Sequence, residues 1–396
     1  MKTKLIELLE SYNDTALIFG KTRMIMINEI FYTGKTHKVA IFSGANSAAK
    51  SGALTELFRV LSVQTKIALA CFSEITPEPT VETVERMIKF LQDEKPDEVI
   101  AIGGGSPLDA AKAAWLVYQA GGTIHDYFGV NKFSSANPGR KLKKIIAIPT
   151  TAGTGSEATP YANIVDTKLQ VKKLISETEI IPEHSFLVPE FTHSMPRSVT
   201  LATGCDALAH AIEGLLNVGQ DSADPHANER ALAAISLIVE YLPQALADGN
   251  NQNARSAMAI ASALAGMVIR HKSTGLPHLC SFSWFGRIEH GIAVVLLLPA
   301  AWRYYNASPA VAERTMLLSP VFGGNNPNEV VDGFCAFLQR CGVPSGLNAF
   351  SEITPELLKN TAASAAQNKM KLELAPRPVP LEQSQQILSQ ILQQSL

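Results

Sequence analysis

The sequence predicts an α/β domain with a mostly parallel sheet, followed by an all-helical domain. In the first half, short apolar runs alternate with stretches of helical periodicity, which is the pattern of βαβ units with helices on both faces of a parallel sheet. Beyond the segment MPRSVT the chain becomes rich in Ala and Leu, and few stretches have strand character. Pro182, Pro189 and Pro196 mark the change, so we predict domains at 1–190 and 191–396.

Four short apolar runs that end in turns predict the strands of the first domain, because buried parallel strands are near-continuous apolar segments. These runs are KVAIFSG at 38–44, TKIALACF at 65–72, DEVIAIGGG at 97–105 and the start of KKIIAIPTTAGTGSE at 143–157. Helical periodicity fills the intervals at 79–96 and 107–121. Strand and helix therefore alternate as βαβ crossovers require.

The second domain is predicted from long stretches of Ala and Leu with helical spacing. They lie at 200–216, 225–247, 254–270, 311–320, 327–341, 354–365 and 381–394. The segment GIAVVLLLPAAW at 291–302 is apolar enough for a buried helix or a buried strand, and its pattern leaves both open.

The composition is that of an ordinary globular enzyme and argues against nucleic acid or membrane partners. The 396 residues carry a formal net charge of −2, with 46% hydrophobic and 18% charged residues, and no long block of like charge. No run of 18 apolar residues and no signal peptide is apparent. The five cysteines are scattered without a CxxC pair, which favours a reducing compartment, so we predict a cytoplasmic protein.

A run of three glycines follows one predicted strand directly, in AIGGGSPLDAAK. Gly103, Gly104 and Gly105 would let backbone N–H groups approach a pyrophosphate, and the following helix adds a favourable field. Ser106 could cap that helix or donate to a phosphate, and Asp109 lies in its first turn. The segment is not the GxGxxG fingerprint, so a simple tight turn also remains open.

A second polar turn, IPTTAGTGSE, follows another predicted strand. Hydroxyl groups and bare backbone at the carboxyl end of a strand suit ribose and phosphate contacts at the crevice of an open α/β sheet. Its hydroxyl side chains belong to Thr150, Thr151, Thr154 and Ser156. Alone it is only a loop, but two such turns on two parallel strands favour a nucleotide site.

One carboxylate and three histidines have the pattern of a candidate metal site. Asp206 and His210 are four residues apart and share one face of a predicted helix. His278 and His290 follow downstream. A carboxylate with three imidazoles is a common ligand set for Fe²⁺ or Zn²⁺ and leaves a position open for substrate. Spacing alone also allows ordinary structural histidines.

Four motifs in order along the chain resemble the iron-containing, group III, alcohol dehydrogenases. They are GGGSPLD (103–109), PTTAGTGSE (149–157), MPRSVTLATGCDALAHAIE (195–213) and EHGIAVVLLLP (289–299). The resemblance implies an α/β nucleotide-binding domain and a helical domain that binds the metal. It also implies that the metal, Fe²⁺ with Zn²⁺ as the alternative, has as its ligands and catalytic residues Asp206, His210, His278 and His290.

Two departures from the family pattern stand close to the implied ligands. The last two ligands are usually fourteen residues apart in the family, whereas His278 and His290 are twelve apart, as a two-residue deletion in the connecting loop would produce. Many members have a second histidine four residues after the first of these ligands. Phe282 stands at that position here.

The substrate predicted by the resemblance is a small alcohol or aldehyde. HKSTGLPHLCSFS (271–283) looks similar to the branch with phosphonoacetaldehyde reductases, so an anionic aldehyde is one candidate. Basic residues that could hold it are Lys172, Lys173, Arg270, Lys272 and Arg287.

The cofactor predicted is NADP(H) in preference to NAD(H). An acidic residue after the second strand of such folds binds the ribose 2′-hydroxyl and repels a 2′-phosphate. The corresponding turn has Gly44, Asn46 and Ser47 and no carboxylate, and it is similar to the turn of NADPH-using members.

The expected reaction is reversible hydride transfer between an alcohol carbon and C4 of the nicotinamide. Family members often form homodimers or larger assemblies, so a homo-oligomer is expected. Two alternatives remain open from sequence. One is a lyase on the same scaffold that resembles dehydroquinate synthase, and the other is a nucleotide-binding protein that has lost catalysis.

Overall fold

A six-stranded parallel sheet forms the centre of the first half of the chain. This computed structural model describes residues 2–31, 36–63 and 66–396. Within them the sheet order is β1-β9-β6-β4-β2-β3, and each pairing is parallel. Its strands are Ala16–Phe19 (β1), Lys38–Gly44 (β2), Ala68–Ile75 (β3), Glu98–Gly103 (β4), Ile146–Pro149 (β6) and His184–Leu187 (β9). The predicted parallel α/β architecture is confirmed.

Helices cover both faces of this sheet because the side chains of each strand alternate between two apolar clusters. One face packs against α2 and α4 through side chains that include Val39, Ile41, Ile100, Ile102, Ile146 and Ile148. The other packs against α5 and α6 through Ala40, Phe42, Val99, Ala101 and Ala147. The helices are Lys2–Glu10 (α1), Met26–Phe31 (α2), Ser47–Lys50 (α3), Ala53–Leu61 (α4), Val81–Glu94 (α5), Gly105–Ala120 (α6) and Lys132–Ala136 (α7).

The order of the strands brings three turns to one edge of the sheet. From β2 the chain moves outward to β3 and then returns to the other side of β2 with β4, so the direction of winding reverses between β2 and β4. Ligands of open α/β sheets bind at such a reversal, outside the carboxyl ends of the strands. The turns after β2, β4 and β6 all leave the sheet at that end.

Several strands differ from the sequence prediction. The strand predicted at 65–72 is Ala68–Ile75, because β2 pairs with it from Lys38 as far as Gly44. Thr65, the predicted start, lies outside the described residues. A small second sheet, Gly129–Val130 (β5), Tyr161–Asp166 (β7) and Val171–Ser176 (β8), was not predicted. Polar and charged residues, among them Asn163, Lys172 and Lys173, interrupt its hairpin strands, so they lack the continuous apolar run of a buried strand.

The second half of the chain is helical, and its described residues contain no strand after Leu187. The chain divides into two compact units, with the second at Pro196–Leu396. Its helices are Arg197–Leu216 (α8), Ala227–Ala247 (α9), Gln252–His271 (α10), Leu276–Ser281 (α11), His290–Tyr305 (α12), Pro309–Met316 (α13), Ser319–Phe322 (α14), Pro327–Cys341 (α15), Pro355–Ala365 (α16), Lys369–Glu373 (α17) and Ser384–Gln394 (α18).

Two details of this unit refine the prediction. The apolar run at 291–302 is a helix, α12, almost wholly buried. The stretch 311–320 divides into α13 and α14, since a new helix begins at Ser319 with Pro320 in its first turn. By length and hydropathy α9 alone among the described helices could cross a membrane. It packs against α8 and α10, as a core helix does.

Candidate metal centre and nucleotide-binding turns

One face of α8 carries three polar side chains in an apolar helix. Asp206, His210 and Glu213 are spaced by four and three residues, so they lie along one stripe. All three are buried, and Glu213 has no exposed surface. Because α8 is otherwise rich in Ala and Leu and packs on three helices, this stripe is held rigidly inside the unit.

Two further histidines reach this stripe from α11 and α12. His278 lies on α11, which begins with Leu276 and Pro277, and His290 is the first residue of α12. Gly291 allows α12 to approach α8 closely, because a Cβ there would lie 2.9 Å from the Cβ of Asp206 and would overlap the Ala202 carbonyl oxygen. A glycine after His290 is therefore a packing requirement.

The three predicted histidine ligands converge on one carboxylate oxygen of the fourth, Asp206. Asp206 Oδ1 lies 3.6 Å from His210 Nε2, 3.5 Å from His278 Nε2 and 3.8 Å from His290 Nε2. The ligand atoms of Asp206, His278 and His290 all lie within 4.8 Å of one another. The His210 ring is not part of that set of three, but it stacks on the His278 ring with centroids 4.7 Å apart.

A fifth residue, Glu213, fixes the His278 ring and was missed by the sequence analysis. His278 Nδ1 is hydrogen-bonded to Glu213 Oε2. Since a carboxylate only accepts, Nδ1 donates the proton, and Nε2 is directed toward Asp206. The other Glu213 oxygen accepts from Gly275 N–H at 2.9 Å. A carboxylate behind a histidine in this way is the usual outer support of a metal-ligating imidazole.

The pKa values of Asp206 and His278 are shifted by the opposite charges of their neighbours. Burial raises the pKa of the Asp206 carboxyl, but the charges of His210, His290 and His278 outweigh it and hold that pKa well below its usual range. Burial lowers the pKa of His278, and the Glu213 and Asp206 carboxylates reverse this and raise it to about 9. Two buried carboxylates therefore demand positive charge here, from a proton or from a cation.

The residues present fit a divalent metal ion. Asp206 Oδ1 and His278 Nε2 are buried and have no hydrogen-bond partner, which is costly unless another group satisfies them. Ligand atoms at about 2.1 Å from a tetrahedral metal lie about 3.4 Å apart. The separations of 3.5, 3.6 and 3.8 Å from Asp206 Oδ1 are close to that value. One carboxylate oxygen and three imidazole nitrogens suit Fe²⁺ or Zn²⁺.

Phe282 stands four residues after His278, where the family resemblance led us to expect a second histidine. Its ring stacks on His290, with centroids 6.0 Å apart and planes inclined by 21°. His290 Nδ1 also lies 3.4 Å from Ser281 Oγ, whose hydroxyl donates to the His278 carbonyl. An apolar ring that cannot transfer a proton therefore covers one face of His290.

In the first unit, the glycine turn after β4 and the threonine turn after β6 lie side by side. Thr150 N–H donates to the Gly103 carbonyl at 2.8 Å. A Cβ at Gly104 would lie 3.0 Å from Thr151 Cγ2, and one at Gly105 would lie 2.8 Å from Thr154 Cγ2. The two turns thus pack so closely that a larger residue at either glycine would displace a threonine.

The start of α6 offers backbone donors for a phosphate. Its N-cap, Gly104, has no side chain that could cap the helix, so the first N–H groups are left to another acceptor. Ser106 Oγ accepts from the Glu78 N–H at 3.2 Å and does not cap α6. Thr150 Oγ1 is buried without a partner, which suits a polar ligand at this edge.

Asp109 and Ser156 are hydrogen-bonded to each other inside the unit. Ser156 Oγ donates to Asp109 Oδ1 at 2.6 Å, and Asn163 N–H donates to the other oxygen at 2.9 Å. Lys112 donates to the Ser156 carbonyl, to Ser156 Oγ at 2.8 Å and to the Thr159 carbonyl at 3.0 Å. These hydrogen bonds hold the end of the threonine turn against α6. The contact of Asp109 and Ser156 with a cofactor stays a prediction.

The turn after β2 contains no carboxylate at the predicted ribose position. Gly44 ends β2, Asn46 is the N-cap of α3, and Ser47 begins that helix. A Cβ at Gly44 would lie 2.9 Å from Ser47 Oγ, the end of a side chain that can rotate away.

Three of the basic residues considered for an anionic substrate are paired with carboxylates. Lys172 Nζ lies 2.6 Å from Glu78, and Lys173 Nζ lies 2.9 Å from Asp166. Lys272, whose side chain has no exposed surface, lies 2.7 Å from Asp221 Oδ1. Arg287 is exposed at the turn before α12.

The comparisons with known proteins define the class. The model described as iron-containing alcohol dehydrogenase matches residues 14–189. The C-terminal model of the Fe-containing alcohol dehydrogenase family matches residues 200–392. The chain therefore belongs to the iron-containing alcohol dehydrogenase family, as its motifs predicted.

Individual relatives support the same family across the whole chain. The chain is 35% identical to the NAD-dependent methanol dehydrogenase of Bacillus methanolicus over 70% of its length and 73% of that protein. It is 32% identical to the 1-propanol dehydrogenase PduQ of Salmonella typhimurium over 87% of its length and 90% of that protein. The sulfoacetaldehyde reductase of Bifidobacterium kashiwanohense, solved with NAD⁺, has a TM-score of 0.79 at 27% identity, covering 96% and 98% of the two chains.

Proposed function

We propose that this protein is a metal-dependent oxidoreductase that transfers hydride between a nicotinamide cofactor and a small alcohol or aldehyde. One observation carries the proposal: three histidine side chains converge on a buried oxygen of Asp206 that has no hydrogen-bond partner. The second unit is accordingly proposed as the metal-binding domain and the first as the nucleotide-binding domain.

The proposed metal ligands are Asp206, His210, His278 and His290. Bound Fe²⁺, or Zn²⁺, supplies a Lewis acid for the oxygen of the alcohol or aldehyde. Asp206 contributes the negative charge of the ligand set. Glu213 holds the His278 ring so that Nε2 faces the other ligands, and Phe282 keeps water from one face of His290.

The proposed cofactor site is the carboxyl edge of the parallel sheet. Backbone N–H groups of the turn Gly103–Gly104–Gly105–Ser106 would take the pyrophosphate at the start of α6. Thr150, Thr151 and Thr154 would line the nicotinamide side, and the buried hydroxyl of Thr150 is available to it. Asp109 and Ser156 would support that side through their mutual hydrogen bond.

NADP(H) is proposed as the preferred cofactor because the turn with Gly44, Asn46 and Ser47 carries no carboxylate to repel a 2′-phosphate. The names of two relatives point the other way, since the methanol dehydrogenase is described as NAD-dependent and the sulfoacetaldehyde reductase was solved with NAD⁺. Catalytic efficiencies with NADPH and NADH decide the question, and equal values would contradict the preference.

A neutral small alcohol or aldehyde is the substrate class we favour. The anionic alternative has one point in its support, the likeness to a sulfoacetaldehyde reductase. Against it, Lys172, Lys173 and Lys272 already face carboxylates. A panel with neutral, phosphonate and sulfonate aldehydes separates the two, because an anion-binding site would turn over the charged members faster.

The proton of the alcohol needs a route that does not pass through Phe282, since a phenyl ring carries no titratable group. We propose that solvent or the ribose hydroxyls of the cofactor carry it. A homo-oligomer and a cytoplasmic location remain part of the proposal from sequence.

Metal content and turnover, measured together on purified protein, test this proposal. We expect about one Fe²⁺ or Zn²⁺ per chain and net oxidation of NADPH with an aldehyde. His278→Ala should lose metal and turnover together, whereas full activity in that variant would break the ligand assignment. Metal without net cofactor turnover would indicate the lyase alternative, and nucleotide binding without metal or turnover would indicate a protein that has lost catalysis.

A further inference from the structure

A lysine on the short helix α17 makes three hydrogen bonds to the segment that precedes α11. Lys371 Nζ donates to Ser273 Oγ at 3.0 Å, to the Thr274 carbonyl at 3.0 Å and to Thr274 Oγ1 at 2.8 Å. Asn217 strengthens the same connection, because its amide donates both to the Ser273 carbonyl and to the Leu374 carbonyl at the end of α17.

The segment held by Lys371 leads directly to the support of the metal centre. The next residue, Gly275, donates its N–H to Glu213 at 2.9 Å, and Glu213 in turn bonds the His278 ring. Leu276 N–H donates to the Tyr305 hydroxyl at 2.8 Å, which fixes the start of α11. A Cβ at Gly275 would lie 2.5 Å from that hydroxyl, so the segment has little freedom to shift.

The charge of Lys371 is placed where burial makes it costly. All three of its acceptors are uncharged oxygen atoms, and burial lowers its pKa to about 8, with the Glu213 carboxylate opposing this. Burying a charged ammonium group among neutral acceptors costs free energy. An apolar side chain would fill the same space without that cost, so a lysine here indicates that its hydrogen bonds matter.

We propose that Lys371 is a positioning residue of the metal centre, which holds segment 273–275 so that Gly275 and Glu213 orient His278. This inference rests on the proposed metal site. Support behind a ligating histidine typically changes metal affinity by about 10–100-fold, so the contribution of a residue one step further out should lie at the lower end.

The test is Zn²⁺ affinity of the full chain, stripped of metal and titrated in competition with a chromophoric chelator. We expect Lys371→Met to weaken Zn²⁺ binding about tenfold. Lys371→Gln, which keeps amide donors for Ser273 and Thr274, should lose less. Lys369→Met is the matched control, because Lys369 is exposed on the same helix, and it should bind as the wild type does.

The visible spectrum of the Co²⁺-substituted protein supplies a readout that a purely structural lysine would leave unchanged. Lys371→Met should shift the ligand-field bands, because His278 would bind with altered orientation. Should that variant fail to fold, Thr274→Val, which removes the acceptor at 2.8 Å, should weaken Zn²⁺ binding about threefold.

Wild-type affinity and an unchanged Co²⁺ spectrum in Lys371→Met would overturn the inference while leaving the proposed function intact. A wild-type protein that binds none of Zn²⁺, Co²⁺ and Fe²⁺ would overturn both.

Discussion

The Glu213 carboxylate lies behind the proposed metal ligands and holds the His278 ring in its orientation. It accepts from the ring Nδ1 on one oxygen and from the Gly275 backbone on the other. Both of its oxygens are therefore occupied, and the ring cannot turn without breaking a buried, charge-assisted bond. The proposed metal site should therefore depend on this residue, although Glu213 is not among the proposed ligands.

Replacing Glu213 by Gln should weaken metal binding by about 10–100-fold. Gln keeps the shape but removes the negative charge, and its amide can present an N–H to His278 Nδ1 in place of an acceptor. The measurement is Zn²⁺ affinity by chelator competition, with Glu356→Gln on an exposed site of α16 as control. Unchanged affinity would show that His278 needs no carboxylate behind it.

The family resemblance in the sequence predicted the four proposed ligands, which stay a prediction, and it did not predict this support. Asp206 and His210 stand out because a carboxylate and an imidazole share a face of an apolar helix. Glu213 continues the same stripe, seven residues after Asp206, and that spacing was the signal that could have identified it. Its bond to the segment before α11 could not have been predicted, because it joins parts of the chain 62 residues apart.

At the level of helices and strands, both candidate sites depend on how closely neighbouring elements approach each other. α12 comes near enough to α8 for His290 to face Asp206 only because residue 291 is glycine. The turns after β4 and β6 touch through Gly104 and Gly105 in the same manner. At Gly291 the missing side chain lets one helix approach the backbone of another, and at Gly104 and Gly105 it makes room for threonine side chains.

Gly291→Ala should remove the metal and lower the stability of the helical unit by roughly 1–3 kcal/mol, because an added methyl group overlaps the α8 backbone. Metal content and the urea midpoint check this. Gly219→Ala is the matched control, since a Cβ there would meet only Asn217 Oδ1 at 3.9 Å. If both variants retained metal equally, the approach of α12 would not be limiting.

Gly44→Asp should lower catalytic efficiency with NADPH by about tenfold or more and spare NADH, because a carboxylate at the end of β2 repels a 2′-phosphate. Ser47 Oγ is the near contact and can rotate to admit the new side chain. Gly44→Asn has the same size without the charge. The same loss of NADPH efficiency in both variants would mean that size, not charge, sets the cofactor preference.

The predicted elements held best where a run was both long and apolar. Several helices begin and end within two or three residues of the predicted bounds, among them α9, α10, α15 and α16. Their long Ala- and Leu-rich patterns fit a helix and hardly any other secondary structure. The short strands β1 and β9 and the hairpin of β7 and β8 were missed, since β1 and β9 have only four residues each and the hairpin keeps polar residues partly exposed. These strands form by pairing with other strands, and the local sequence pattern carries no information about which strands those are.

For the molecule as a whole, a charged cluster away from the ligands also contributes to the free energy of unfolding. Asp221 accepts from Lys272 at 2.7 Å, from Arg314 at 2.5 Å and from Asn228 at 3.2 Å. Burial raises the pKa of Asp221, but the donors from Arg314 and Lys272 outweigh it, and the pKa falls well below its usual range. This carboxylate therefore joins α13 to the end of α10.

Asp221→Asn should lower the free energy of unfolding by roughly 1–3 kcal/mol at pH 7, because the fully buried Lys272 ammonium loses its carboxylate. Because the pKa of Asp221 is lower in the folded protein than in the unfolded chain, its carboxylate stabilises the fold at pH values above the unfolded-state pKa of about 3.9. That stabilisation is lost as the pH falls below this value. The difference in free energy of unfolding between Asp221→Asn and the wild type should thus be constant near neutral pH and become smaller below pH 4. Urea midpoints from pH 7 to pH 3 measure it.

The control is Asp332→Asn, whose partner Arg303 is an exposed side chain at 2.5 Å, so that pair should contribute little. A difference for Asp221→Asn that does not vary between pH 7 and pH 3 would show that the charge of Asp221 is not the source of its effect.

The placement of Asp206, His210 and Glu213 on a single helix has a consequence for how this lineage can diverge. Inserting or deleting one residue between them would rotate the remainder of α8 by about 100° and carry Glu213 away from His278. Substitutions at the intervening positions leave the stripe intact. Descendants of this gene should therefore vary in amino acid but not in length across 206–213.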